Sequence, residues 1–172
     1  GAKVGSCKYS DVTVFSFHPV KSITTGEGGM ITTNDKDIYQ KLLMLRTHGI
    51  NQQPKKNIEI INQYTNGVIN PWYFEMQHLG YHYRITDIQA ALGISQMDRL
   101  DEYVEQRNIH ADRYDSLLKD LPIQTPYQDQ LNYSSRHLYV IRLKLDKISL
   151  THKEVFESLR KNNIGVQLHY IP

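Results

Sequence analysis

The sequence has a single cysteine, Cys7, in 172 residues. No intrachain disulfide can form, and the chain suits a reducing compartment. No apolar run approaches the roughly 18 residues that cross a bilayer, so no membrane partner is expected and a cytoplasmic location is. Charge of one sign is also scarce. Twenty Lys+Arg against 18 Asp+Glu leave a net +2, which provides no electrostatic footprint for nucleic acid. Internal repeats, low-complexity tracts and a signal-peptide pattern are absent as well. What is present is an ordinary globular balance, 40% hydrophobic and 22% charged, which excludes a disordered chain. The chain opens at Gly1 without a methionine and closes at Pro172 directly after an apolar stretch. The expectation is therefore a piece of a longer protein.

Periodicity organises the chain. Val12 to Phe17 is a short β-branched and aromatic run that reads as a buried strand, ended by His18-Pro19. Thr24 to Gly29 is a glycine-rich turn in which positive φ is expected, and Met30 to Thr33 reads as a second strand. The loop joining the two strands carries Lys21. Asn34 or Asp35 can cap a following helix with Ile38, Leu42 and Leu45 on one face, stopped by Gly49. From Ile50 to Tyr83 no period is sustained and aromatics are dense, a pattern typical of functional or interfacial segments. Thr86-Asp87 opens a long helical region reaching Leu121, with a bend expected between Gly93 and Arg99. His137 to Leu145 and Val166 to Tyr170 read as strands. Between them lies a helix capped by Thr151, with Glu154 at the capping-box position. This order resembles the start of a second α/β domain.

Taken alone, Lys21 is weak evidence, because most lysines are solvated. Its setting is unusual, since it follows a strand and a proline at the start of a turn of small residues. A lysine that attacks a carbonyl must be neutral, and such settings allow partial burial. The Gly26-Glu27-Gly28-Gly29 turn lacks the Gly-Lys-Ser/Thr ending of a P-loop. His78 and His82 have the spacing of helical metal ligands. Gly80 lies between them and no carboxylate motif accompanies them, so no metal site is expected.

The ungapped block Ser16-Phe17-His18-Pro19-Val20-Lys21-Ser22-Ile23-Thr24-Thr25-Gly26-Glu27-Gly28-Gly29 resembles the cofactor-lysine signature of the DegT/DnrJ/EryC1/StrS sugar-nucleotide aminotransferases. Tyr81 to Gly93 is similar to a later motif of that family, and Gly165 to Tyr170 to the start of its substrate-facing C-terminal region. The resemblance implies an α/β fold, the pyridoxal-phosphate-dependent transferase fold type I, present in part. Residues 1–120 would be the later part of the large domain with its connecting helix, and residues 121–172 the beginning of the small domain. Pro71-Trp72-Tyr73-Phe74-Glu75-Met76-Gln77 resembles the pseudaminic-acid branch of the family. That branch aminates C4 of a UDP-linked 4-keto-6-deoxy-N-acetylhexosamine in surface or flagellar sugar biosynthesis.

The roles implied by the resemblance fall on particular residues. Lys21 matches the lysine that joins covalently to pyridoxal 5'-phosphate and later moves the substrate proton. Ser16 matches a hydroxyl donor to the cofactor phosphate, and also reads as a small residue tolerated in a strand. His18 occupies a slot near the cofactor, and also reads as a partly buried histidine. His82 stands where many relatives carry an asparagine that reaches the phosphate of the partner subunit's cofactor. Arg84 matches a position able to meet phosphate or carboxylate, and a structural salt bridge is its plainer reading. His169 and Tyr170 resemble positions that face the sugar nucleotide, or are ordinary strand residues. The resemblance further implies a UDP-linked keto sugar and glutamate as substrates, and a homodimer with sites at the interface. The family's pyridinium-pairing aspartate, ring-stacking aromatic and first phosphate loop would lie before Gly1, so the chain alone is expected to bind cofactor weakly. Two alternatives stay open: an aminotransferase for another nucleotide-linked keto sugar, and a non-catalytic binding module on the same scaffold. Lysine at position 21 argues against the family's dehydratase branch, which places histidine there.

Overall fold

The structure is a computed structural model that describes residues 2–51 and 63–169. Among the described residues eight strands and four α-helices run in order: β1 (Val12–Ser16), β2 (Gly29–Thr33), α1 (Lys36–Leu45), β3 (Ile50–Asn51), β4 (Tyr64–Thr65), β5 (Val68–Ile69), β6 (Glu75–Met76), α2 (Asp87–Met97), α3 (Leu100–Leu118), β7 (Ile123–Gln124), β8 (Arg142–Leu143) and α4 (His152–Lys161), with a 3-10 turn at Leu145–Lys147 before α4. Among the described residues the strands form antiparallel pairs only: β1 with β2, β3 with β6, β4 with β5 and β7 with β8. No helix is long and apolar enough to cross a membrane among the described residues.

The chain divides into two compact units, Ala2–Ser95 and the residues from Gln96 onward. In the second of these units α3 groups with the segment that follows it. Arg107 Nη1 on α3 donates to the carbonyls of Arg136 (3.4 Å) and His137 (3.2 Å). Asn108 Nδ2 donates to Ser134 O at 3.0 Å. The Tyr139 hydroxyl donates to Asp115 Oδ1 at 2.5 Å, and its ring lies 5.1 Å from that of Tyr114.

In the first unit, β1 and β2 pair in a register that sets Val14 opposite Ile31 and Ser16 opposite Gly29. The expected strands are therefore present, but β1 is not buried: Val14 is 70% exposed. A two-stranded sheet has two faces and two edges, and in this chain one face is left without a covering layer. Asp35 caps α1, its Oδ1 accepting from Asp37 N at 2.8 Å and Ile38 N at 2.9 Å. The helix ends in two left-handed residues, His48 (φ +58) and Gly49 (φ +68), with Gly49 N–H returning to Met44 O at 3.0 Å.

The same corner receives the segment at 77–83. Gln77 N–H donates to Gly49 O (2.8 Å), His48 N–H to Tyr81 O (2.8 Å), Tyr81 N–H to Leu45 O (2.7 Å) and Tyr83 N–H to Arg46 O (3.0 Å). Two backbones this close leave no room for side chains. A Cβ on Gly49 would overlap the His78 carbonyl, and one on Gly80 would overlap the Gly49 amide.

The bend expected after Gly93 lies at Asp98-Arg99, between α2 and α3. In the second unit α4 opens with the expected capping box: Thr151 Oγ1 accepts from Glu154 N, and Glu154 Oε2 accepts from Thr151 N at 2.7 Å. The expected strand over 137–145 shortens to β8, whose Arg142 and Leu143 are the residues that join a ladder, with β7, among the described residues. Residues 166–169 form no strand. Instead the Val166 carbonyl accepts from Arg160 Nη2 at 2.7 Å and Nε at 3.0 Å. Ala111 is the one hydrophobic residue below a tenth exposed among the described residues.

Two outcomes follow from these packings. Gly49→Ala imposes both a left-handed alanine and a backbone overlap, so it should lower stability by more than about 2 kcal/mol, read as a fall in melting temperature. Burial, followed by the hydrogen bond to Asp115 and its negative charge, pushes the Tyr139 phenol from 10.0 up to about 12. A folded value above the unfolded one means stability that is complete below pH 10 and is lost as pH rises toward 12. Urea unfolding across that window should show the loss, and Tyr139→Phe should remove that component; an unchanged slope in the variant would exclude Tyr139 as its source.

Candidate functional site

Residues 16–29 form a closed loop at the end of the β1–β2 pair. Phe17 closes it with both backbone groups. Its N–H donates to Gly28 O at 2.8 Å, extending the ladder by one rung, while its carbonyl accepts from Thr25 N (3.0 Å) and Thr24 Oγ1 (2.9 Å). Thr25 is 4% exposed and its hydroxyl donates to Glu27 O at 2.7 Å. Gly26 adopts φ +80, as expected for the turn.

The far end of the loop is a tight turn in which Lys21 N–H donates to His18 O at 2.9 Å. Pro19 supplies the φ that the turn's second position needs. The Lys21 side chain is half-buried, and its amine makes no hydrogen bond or ion pair with any described residue. The sequence places a lysine here, and the fold leaves its nitrogen uncommitted.

Ser16 and His18 are exposed on the same loop. Ser16 Oγ accepts from His18 N–H at 3.4 Å, which leaves the hydroxyl proton free to donate elsewhere. His18 Nδ1 accepts from Val20 N–H at 3.4 Å, which places the ring proton of the neutral form on Nε2. That nitrogen lies 3.9 Å from Glu27 Oε1.

His82 and Arg84 lie together on the exposed segment before α2, with Arg84 Nη2 3.3 Å from His82 Nε2. The His82 ring packs edge-on against His48 at 5.0 Å, and Tyr81 stacks on Tyr83 at 4.9 Å. A backbone bridge between Thr47 and His82 fixes the segment to the end of α1. No hydrogen bond or ion pair links His82 or Arg84 to Ser16, His18 or Lys21 among the described residues. The structural salt bridge open to Arg84 in the sequence is not formed with a described carboxylate. His169 is exposed in the second unit. Tyr170 lies outside the described residues.

The aromatic block at 71–77 has an internal use. The Tyr73 hydroxyl donates to Glu75 Oε1, and Gln77 Nε2 donates to Glu75 Oε2 at 2.6 Å, with Glu75 buried. Trp72, Phe74 and Met76 alternate with these residues and are exposed. The second unit holds a cleft of about 180 Å³ against α3, lined by His110, Ala111, Tyr114 and Arg136 among others. None of the residues singled out in the sequence lines it.

Gln89 was missed as a site residue. Its Nε2 reaches back 62 positions to donate to Glu27 O at 3.0 Å. The only local signal is Thr86-x-x-Gln89, which reads as a helix cap.

The profile of the DegT/DnrJ/EryC1/StrS aminotransferase family matches residues 1–172. A Campylobacter jejuni UDP-4-amino-4,6-dideoxy-N-acetyl-beta-L-altrosamine transaminase is 40% identical over 100% of this chain and 41% of its own length. Helicobacter pylori PseC, an aminotransferase of pseudoaminic acid biosynthesis, superposes with a TM-score of 0.75 at 32% identity, covering 95% of this chain and 40% of that one. The Streptococcus pneumoniae protein Spr1654 in its PLP form gives a TM-score of 0.75 at 29% identity, over 96% and 39%. The chain thus spans about two fifths of the length of the relatives it matches. Its fold is the corresponding part of the pyridoxal-phosphate-dependent transferase fold type I. On the strength of a match that runs from the first residue to the last, the chain belongs to the DegT/DnrJ/EryC1/StrS aminotransferase family.

Proposed function

We propose that the protein containing this chain is a pyridoxal-phosphate-dependent aminotransferase acting on a nucleotide-linked keto sugar. The observation that carries the reading is Lys21: a primary amine, free of partners among the described residues, at the tip of a loop locked at its base. A group that condenses with an aldehyde needs a fixed approach and a nitrogen not tied up in other bonds, and this loop offers both.

The residues present fit the cofactor by their donor chemistry. Lys21 Nζ would hold its aldehyde carbon. The free proton of the Ser16 hydroxyl would go to its phosphate, and His18 would stand beside it. His82 and Arg84, at 3.3 Å from each other, form a basic pair suited to an anionic group. In the homodimer we propose, His82 would serve the phosphate of the partner subunit's site. Bound there, pyridoxal phosphate supplies an electron sink for the carbon that loses its proton. Lys21 Nζ, set free when the substrate amine displaces it from the aldehyde carbon, would be the base that moves this proton across the imine nitrogen, a role its short tether permits. His169 and Tyr170 would face the sugar nucleotide.

We assign the substrate as a UDP-linked 4-keto-6-deoxy-N-acetylhexosamine and the donor as glutamate. The C. jejuni relative, 40% identical and named a UDP-4-amino-4,6-dideoxy-N-acetyl-beta-L-altrosamine transaminase, supports the UDP-linked amino-sugar class. The division into a large domain through residue 120 and a small domain from 121 belongs to the same proposal, as does a cytoplasmic location.

In the full-length protein, borohydride reduction followed by peptide mapping should place the cofactor mass on the peptide holding Lys21. Lys21→Ala should abolish that mass and the visible absorbance together, with turnover down by at least about a thousandfold. Retention of the labelled peptide elsewhere would remove Lys21 from the role. With glutamate as donor, a panel of nucleotide-linked 4-keto and 3-keto sugars should give its highest kcat/KM with the UDP-linked 4-keto-6-deoxy-N-acetylhexosamine. A preference for a 3-keto sugar would move the substrate assignment to another branch.

A further inference from the structure

Gln89 occupies the third position of α2, and its two side-chain atoms face different tasks. Its Oε1 accepts from Thr86 N at 3.0 Å and Thr86 Oγ1 at 3.1 Å, while Gln89 N–H donates to Thr86 Oγ1 at 3.3 Å. That is a capping box, which glutamate fills as readily as glutamine. Its Nε2 does what glutamate cannot, donating to the Glu27 carbonyl at 3.0 Å.

The Glu27 carbonyl is a junction. It accepts a second hydrogen bond from the buried Thr25 hydroxyl at 2.7 Å. Glu27 also lies between Thr25, whose N–H closes the loop on Phe17 O, and Gly28, whose carbonyl takes Phe17 N–H. One helical turn beyond Gln89, a Cβ on Gly93 would stand 3.0 Å from Thr25 Cγ2, so α2 seats against the same corner. Gln89 and Gly93 are spaced i, i+4 and share one face of the helix.

We propose that Gln89 is a positioning residue for Lys21. By holding the Glu27 peptide, it ties the base of the lysine loop to the N-terminus of α2, the helix that follows directly on His82 and Arg84. The role rests on the reading of Lys21 as the cofactor lysine. The tie itself is a property of the fold, and the two can be tested apart. Glutamine rather than glutamate stands at this capping position because the loop requires a donor there.

The experiment uses the full-length protein with Gln89→Glu and Gln89→Met. Gln89→Glu keeps the capping box and sets an acceptor against the Glu27 carbonyl. In the cofactor-free form its melting temperature should match or exceed that of the parent. Amide hydrogen exchange across residues 17–28 should quicken about fivefold, the worth of one intramolecular hydrogen bond, with α1 and α4 unchanged. Loaded with pyridoxal phosphate, it should lose about tenfold in kcat with KM within about twofold. Gln89→Met, which loses cap and tie alike, should quicken the same amides and also melt lower. Exchange at the parental rate in residues 17–28 of Gln89→Glu would overturn the proposal, as would a parental kcat. If Lys21→Ala retained covalent cofactor, the functional reading would fall, while the exchange result would still decide the tie.

Discussion

The Phe17 peptide is the constraint on which the site depends. Its N–H continues the β1–β2 ladder to Gly28, and its carbonyl gathers the Thr25 amide and the Thr24 hydroxyl. Closing a loop costs entropy that rises only slowly with length, so three hydrogen bonds at the base suffice to set the ends of a short excursion. Within it, Pro19 and the Lys21-to-His18 hydrogen bond shape the tip. Lys21 is held through the backbone at both ends of its tether, and its side-chain nitrogen is left with no other commitment among the described residues. An amine that had formed an ion pair would have to break it before it could act as a nucleophile.

A second constraint is the close approach of two chain segments at Gly49 and Gly80. It sets the 81–83 segment along the end of α1 through backbone hydrogen bonds at Tyr81 and Tyr83, with the His82 ring packed against His48. The two constraints meet in α2. Its N-terminus follows directly on Arg84, and its first turn holds the carbonyl of Glu27. Residues far apart in sequence are thereby placed by main-chain groups, which sequence changes disturb least.

This distinction also explains what could be read from the sequence. The α1 cap at Asp35, the break between α2 and α3, and the Thr151-Glu154 box are local devices, and each stands where the spacing puts it. Strands are not local. The run from His137 to Leu145 has strand composition, yet only Arg142 and Leu143 pair, and Val166 gives its carbonyl to Arg160 instead of to a neighbouring strand. Among the described residues of the 50–83 stretch, order comes from a two-residue pairing of Ile50-Asn51 with Glu75-Met76 and from glycine contacts across some thirty residues, neither of which has a period. In the site, the lysine was legible as part of a long motif. Gln89 was not, since Thr86-x-x-Gln89 states a helix start and says nothing of an acceptor 62 residues earlier.

The apolar pattern carries a last consequence. Along β1 the residues alternate, with Thr13 and Phe15 half-buried and Val12 and Val14 exposed. The valines face outward from a two-stranded sheet, an arrangement of marginal stability in water. Burying one such side chain contributes about 1.5–3 kcal/mol, comparable with all the hydrogen bonds at the loop's base. The same sheet carries the loop, so a layer over its open face would steady the base from which residues 17–28 extend. The placement of the Lys21 loop is thus coupled to the packing of a face outside the loop. Conservative substitutions at Val12 and Val14 belong among those able to alter the placement of Lys21.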